Sequence, residues 1–246
     1  MKEKTNFITE NINNLTTLWK TVGTPFNAYF KSADFEYCEI KNSEWPNRLW
    51  FNQPTNQKII DVLKNKAATT EAKITFPIWN LNNKDQQALL EQNGFKLKFE
   101  QIAMCLKPND LFEVENTVKI ELVTNQNQAT LWSDIFLQSF KYTISTETIN
   151  KTLKNVDYYL AYHNNIAVGT AIIFNTNNVA GIHSVGIPPA MRRKGYAAQI
   201  MKLLINKAIK NQAELITLQA SNMGKNIYLN LGFKEQFLIK NYILDQ

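Results

Sequence analysis

Three short apolar runs, at residues 158–162, 166–174 and 179–187, are separated by Asn164-Asn165 and by Asn175-Thr176-Asn177-Asn178. Such asparagine turns join neighbouring antiparallel strands. Behind them Met201, Leu204, Ile205 and Ala208 recur at helical spacing within residues 196–210, and a further strand follows at 215–218. A meander that leads into a helix crossover restricts this part of the chain to an α+β layer arrangement. Upstream of the meander, residues 118–123 read as a strand. Ala129, Trp132, Ile135, Phe136 and Phe140 then mark a helix, and residues 146–153 a second, shorter one. Downstream, a short helix at 222–231 precedes a closing strand pair within 234–244.

A chain of 246 residues has room for two units. The stretch 107–116, with Pro108 and the turn-prone Asn109-Asp110, supplies the boundary. Domains are therefore expected at 1–107 and 117–246, the first a smaller α/β unit. Within it, Leu89-Leu90-Glu91-Gln92-Asn93-Gly94-Phe95-Lys96 echoes Tyr228-Leu229-Asn230-Leu231-Gly232-Phe233-Lys234. Each copy follows a strand-like segment, 74–79 in the first, and precedes a long β-like stretch, 97–106 in the first. Either the N-terminal half is a worn copy of the C-terminal one, or it is an unrelated α/β domain with a common helix-Gly-Phe-strand ending.

Composition narrows the function classes. The net charge of +6 is spread along the chain without a long basic block interleaved with aromatics, which argues against nucleic acid. No apolar run reaches membrane-spanning length and the first residues carry no signal-peptide pattern, so a cytosolic protein is expected. Cys38 and Cys105 have neither zinc nor redox spacing and read as buried strand thiols; no metal is expected.

Chemistry concentrates in Val185-Gly186-Ile187-Pro188-Pro189-Ala190-Met191-Arg192-Arg193-Lys194-Gly195-Tyr196-Ala197. Here a strand, a proline turn and a basic cluster open onto a helix. The first N–H groups of a helix lack internal partners, and Gly195 and Ala197 let backbone approach a ligand closely. With Arg192, Arg193 and Lys194 beside it, this terminus suits a pyrophosphate.

On these residues the chain resembles the GNAT acetyltransferase superfamily. Arg192, Gly195 and Ala197 satisfy its Arg/Gln-x-x-Gly-x-Gly/Ala signature. Leu218-Gln219-Ala220-Ser221-Asn222 followed by Tyr228 and Leu231-Gly232-Phe233 is similar to its strand, Asn, helix, Tyr and Leu-Gly-Phe ending. The resemblance covers residues 118–244 and implies a mixed central sheet flanked by helices, with two strands splayed to admit acetyl-CoA. It further implies pantetheine pairing with the backbone of Val185 and Ile187, pyrophosphate at Arg192, Arg193, Lys194, Gly195, Tyr196 and Ala197, and Asn222 among the cofactor-binding residues. The activity implied is acetyl transfer to the amine of a small molecule or peptide, with a silent acyl-CoA-binding protein as the other reading.

By the same resemblance Tyr228 stands where the family places the acid that protonates the leaving thiolate, or else covers the cofactor without proton transfer. No carboxylate occupies the strand before the basic loop. His183 there titrates near neutrality, and alternation sets it on one face with Gly181 and Val185. It is a candidate base or a hydrogen-bonded core residue, in which case the amine loses its proton to water. Phe140, Tyr142, Tyr158 and Tyr159 are nominated for the acceptor pocket. In the N-terminal half, Leu90 takes the place of Tyr228. The stretch Asn52-Gln53-Pro54-Thr55-Asn56-Gln57-Lys58, with Pro54 and Thr55 as turn and cap, has no glycine and one basic residue, so acetyl-CoA is expected once per chain.

Overall fold

The computed structural model describes residues 2–41, 43–51, 53, 55–70, 72–81, 85–115 and 117–244, with side chains described from residue 6 onward and not at 85 and 86. Asn52, Pro54 and Asn116 lie outside the described residues. In chain order the elements are α1 (Lys2–Gly23), β1 (Tyr29–Lys31), β2 (Glu36–Cys38), β3 (Arg48–Trp50), α2 (Gln57–Ala68), β4 (Phe76–Asn80), α3 (Asp85–Gln92) and β5 (Phe95–Leu106). They continue with β6 (Lys119–Leu122), α4 (Gln126–Phe140), α5 (Thr146–Thr152), β7 (Asp157–His163), β8 (Ile166–Thr176) and β9 (Val179–Gly186). Last come α6 (Tyr196–Lys210), β10 (Leu215–Ala220), α7 (Lys225–Asn230) and β11 (Lys234–Leu244).

Eight strands form one mixed sheet in the order β4-β11-β5-β10-β9-β8-β7-β6, and β1-β2-β3 form a small second sheet. The strands β7 to β9 are the expected antiparallel meander, β6 adds to it antiparallel to β7, and the α6 crossover makes β10 parallel to β9. Helix α4 starts where the Asn125 side chain accepts from the Gln128 N–H, and it buries Ala129, Trp132, Ile135 and Phe136. Helix α6 buries Ile200, Met201, Leu204, Ile205 and Ala208 on the opposite face of the sheet.

Helix α1 has no counterpart among the sequence-based expectations. Its Ile8, Ile12, Leu15, Trp19 and Val22 recur at the three-and-four spacing of a helix face. They pack with α4 and α5 into one core. Asparagines dilute the pattern: Asn11 and Asn14, both fully buried, reach from this helix to the sheet. Asn11 donates to the Met104 carbonyl at 3.0 Å and Asn14 to the Phe174 carbonyl at 3.0 Å. Polar side chains are tolerated at zero exposure because each finds such a partner.

The closing strand pair is instead a single strand of eleven residues, β11. Its neighbour on the β10 side is β5, which enters from the first half of the chain and fills the gap where a second closing strand would sit. The arrangement is reciprocal, since β11 lies between β5 and β4 just as β5 lies between β11 and β10. Gly94 and Gly232 end α3 and α7 at φ 86° and 88°, a conformation open to glycine, and are 138 positions apart (232 − 94).

Under that offset Gln101 corresponds to Ile239, and the two are paired in the sheet. About this point the register is its own image: Lys240↔Glu100 reflects Leu238↔Ile102, and Ile243↔Lys96 reflects Lys234↔Cys105. Even the irregularities match, for the residue skipped in β11 is Gln236 and the one skipped in β5 is Lys98. A pseudo-twofold axis thus runs between β5 and β11.

Candidate functional site

Strands β9 and β10 pair only from Leu215↔Val179 to Thr217↔Gly181, although β9 runs on to Gly186 and β10 to Ala220. Beyond Gly181 they part and leave strand edge available to a ligand. The wedge is spanned near its base by His183, whose Nδ1 lies 3.0 Å from Gln219 Oε1. Its Nε2 lies 3.0 Å from Asn14 Oδ1 on α1. Gln219 passes the network on to Asn11, donating to Oδ1 at 2.8 Å.

Burial pushes the His183 imidazole down to about 4, against a smaller upward pull from Gln219. In the neutral state one ring nitrogen carries the proton and donates it to the amide oxygen it faces. Both nitrogens are engaged, and neither is free to take a proton from an incoming amine.

Ser184 interrupts β9 with a φ of 55°, and the register against β8 slips there, from Ile172↔His183 to Thr170↔Gly186. This bulge reverses the alternation. Gly181 and His183 share a face as expected, and it is the one covered by α1, whereas Val185 and Ile187 turn to the α6 side, correcting the expectation that Val185 shares the His183 face.

After Ile187 the chain turns through a short 3-10 segment, Pro189–Met191. Arg192 does not join an open cation cluster. Its Nε donates to the Ile187 carbonyl at 3.0 Å and its Nη2 to the Ser139 carbonyl at 3.1 Å, strapping the loop to the end of α4. Arg193 and Lys194 remain exposed, Arg193 with a left-handed φ of 63°. Gly195, at φ 78°, is the N-cap of α6 and offers no side-chain cap, so the first amides of that helix keep their donors. Nothing lies within 4 Å of where a Cβ would stand on Gly195. Tyr196 begins α6 with its ring 5.3 Å from that of His163, and the Ala197 methyl adds little bulk. Together these features fit a pyrophosphate: uncapped amides, open space and two exposed cations.

Across the wedge, exposed Asn222 precedes α7. The Tyr228 ring lies against Gly224, where a Cβ would meet Cε2 at 3.1 Å, and 6.1 Å from the ring of Phe233. Burial pushes its phenol up to about 12, so it keeps its proton through the neutral range.

The four aromatics nominated for the acceptor divide. Phe140 and Tyr142 have ring centroids 6.1 Å apart, and Phe140 covers Gly186, where a Cβ would stand 2.5 Å from its ring. That position is the open end of β9. Tyr158 and Tyr159 are neighbours in β7 and are buried in separate core clusters on opposite faces of the sheet. Tyr158 is fully buried against Trp132, with its hydroxyl 2.8 Å from that of Thr152. Tyr159 is buried on the α6 face, and burial raises the pKa of both phenols.

The N-terminal half contributes residues that the sequence reading did not nominate. The Glu44 N–H donates to the Thr143 carbonyl at 3.1 Å, and the Thr143 N–H donates to Glu44 Oε2 at 2.7 Å. These two bonds press the segment before β3 against the Tyr142 loop. A buried arginine next to apolar Leu49, Trp50 and Phe51, Arg48, was the available signal.

An acetyltransferase fold, a mixed sheet opened between two parallel strands with a helix N-terminus at the opening, is the class these features define. Residues 120–239 match the family model described as an acetyltransferase (GNAT) domain. That part of the chain is a GNAT acetyltransferase domain. Among solved structures it is similar to a GCN5-related N-acetyltransferase from Kribbella flavida, at a TM-score of 0.71 and 14% identity, covering 95% of each chain. A GCN5-related N-acetyltransferase from Sphaerobacter thermophilus is similar at 0.62 and 12%, over 87% of this chain and 78% of that one. A tandem GNAT protein from the clavulanic acid biosynthesis pathway is similar at 0.61 and 9%, over 86% and 79%. At these identities the likeness is one of fold. No curated protein sequence matches the chain significantly.

Proposed function

We propose that the protein is an acetyl-CoA-dependent N-acetyltransferase that acts on a primary amine. The observation that carries this reading is the wedge between β9 and β10, ending at the uncapped N-terminus of α6. Acetyl-CoA bound there supplies a thioester whose acyl carbon an amine attacks. Amides of Tyr196 and Ala197 hold the pyrophosphate with Arg193 and Lys194 alongside, and Arg192 positions the loop through its two carbonyl bonds. Backbone groups of Val185 and Ile187 on the unpaired β9 edge hold the pantetheine arm. Asn222 borders the same groove.

Tyr228 donates a hydrogen bond to the departing sulfur; its raised pKa keeps that proton in place. Phe140 and Tyr142 form the wall that the amine passes. Since His183 is occupied on both nitrogens, the amine gives up its proton to water.

The N-terminal half, to residue 107, is a degenerate copy that packs rather than binds acetyl-CoA. The self-reflecting register of β5 and β11 supports the common origin. Leu90, fully buried, replaces Tyr228. The start of α2 is closed by the Asn56 side chain, which accepts from the Ile59 N–H at 3.0 Å, so the cap is Asn56 and not Thr55. That helix terminus therefore differs from the open one of α6.

A screen of amines, amino acids and peptides for thiol release from acetyl-CoA tests the reading. Release that depends on the amine, with an acetylated product, is expected. Acetyl-CoA binding without release to any amine would leave a silent acyl-CoA-binding protein.

A further inference from the structure

Arg48 is the one arginine of β3 and is 9% exposed. A guanidinium has five N–H donors, and a buried cation ordinarily meets a carboxylate. Here one donor is engaged: Nη1 donates to the Asn47 carbonyl at 3.0 Å. The Trp19 ring lies 5.9 Å from Cζ. No ion pair joins Arg48 to a carboxylate among the described residues. The side-chain polar atoms that are both sealed and unpartnered there are Thr217 Oγ1, Gln236 Nε2 and the Tyr242 hydroxyl oxygen. The remaining Arg48 nitrogens are not among them: they have no partner among the described residues and are not fully sealed.

Arg48 lies beside the acceptor wall, since the two Glu44–Thr143 bonds hold the segment before β3 against the Tyr142 loop. The positive charge of Arg48 reaches the Tyr142 phenol, which burial has pushed up to about 12 and which Arg48 pulls back down. Tyr142 leads through Phe140 to Gly186 at the open end of β9. A second cation, the exposed Lys98, stands at the β5 irregularity and feels Arg48 too. Burial and the Arg48 charge depress its pKa, Glu44 opposes them, and exposed Lys73 adds to the depression. Glu44 thus acts on both Lys98 and the Tyr142 phenol, but among the described residues it forms no ion pair with Arg48.

We infer that Arg48 is a specificity-determining residue which binds a carboxylate on the acceptor, making the substrate an amine that also carries a carboxylate group. A planar fork with unused donors matches a carboxylate bidentately. The inference rests on the acetyl-transfer reading of the site, since the amine end of such a molecule must point past Tyr142 toward the opening of β9. It identifies what the N-terminal half gives the enzyme, a binding group from β3 for the far end of the acceptor.

The test compares amino acids with their methyl esters and amides, in wild type, Arg48→Met and Arg48→Lys. Met keeps the aliphatic stem and removes a buried charge, so the variant is expected to fold, which circular dichroism checks. The wild type is expected to favour at least one carboxylate acceptor over its ester and amide by about 10²-fold in kcat/KM. Arg48→Met should bring that ratio near one through KM, with Arg48→Lys between, while the affinity for acetyl-CoA stays constant. Thermal stabilisation by the preferred free amino acid should be present in the wild type, absent in Arg48→Met and absent with the ester. Equal use of acids and esters by the wild type, or an unchanged ratio in folded Arg48→Met, overturns the inference. So does a wild type that binds acetyl-CoA yet is neither stabilised by nor active on any of the carboxylates. Failure to bind acetyl-CoA would instead defeat the proposed function, and the stabilisation measurement would still decide the role of Arg48.

Discussion

Tyr228 and Gly195 carry opposite demands, one for a proton and one for empty space. With its phenol pushed up to about 12 by burial, Tyr228 holds its proton at neutral pH, and in the proposed reading it offers that proton only as charge develops on sulfur. Tyr228→Phe should lower kcat by about 10²-fold or more with little change in acetyl-CoA affinity; steady-state rates and a binding titration read the two effects separately. Gly195 has open space around its missing Cβ but a φ of 78°. Asn and Asp tolerate that conformation better than other residues. Gly195→Asp should therefore fold yet weaken acetyl-CoA binding by about tenfold or more, roughly 1.4 kcal/mol of repulsion. Gly195→Asn serves as the uncharged control and should bind more tightly than Gly195→Asp. Both residues were legible in the sequence because their motifs are local. Arg48 was not, since its meaning depends on Tyr142, which lies 94 positions away (142 − 48) and meets it only through the fold.

At the scale of elements, α1 and β9 meet through His183. Its pKa is about 4 in the folded protein against 6.5 for the free side chain, so the unfolded chain binds more protons between those values. The stability contribution is complete above about pH 6.5 and is lost as pH falls toward 4, a change on the order of 3 kcal/mol. His183→Gln should flatten this acid limb in urea titrations run from pH 7 to 4; an unchanged slope would assign it to carboxylates. Helix α1 itself is held by Leu18, fully buried in the shared core. Leu18→Ala should cost about 2–5 kcal/mol of unfolding free energy. The meander and the α6 stripe could be read from period and turn residues. The bulge at Ser184 could not, because no residue type announces it, and so the face of Val185 came out reversed. Asparagines that bond to the sheet hid α1 by lowering its apolar contrast.

On the scale of the whole molecule, β5 and β11 each complete the other half's sheet. A fragment of residues 117–246 would expose the β10 edge that β5 covers, and such an edge invites aggregation. That fragment should fail to form a stable monomer by circular dichroism and gel filtration, and should be rescued when residues 1–116 are supplied. The Gly94-Phe95 echo of Gly232-Phe233 was visible in the sequence. The exchange of strands was not, since repeat patterns say which segments correspond and not which partners they choose. In the proposed reading, duplication and exchange leave a single acetyl-CoA site, in the opening between β9 and β10. Calorimetric titration of the intact protein with acetyl-CoA tests this claim most directly. One equivalent per chain in the wild type, with binding weakened in Gly195→Asp, is the predicted result; two equivalents per chain, no binding, or an unaltered affinity in the folded variant would contradict it.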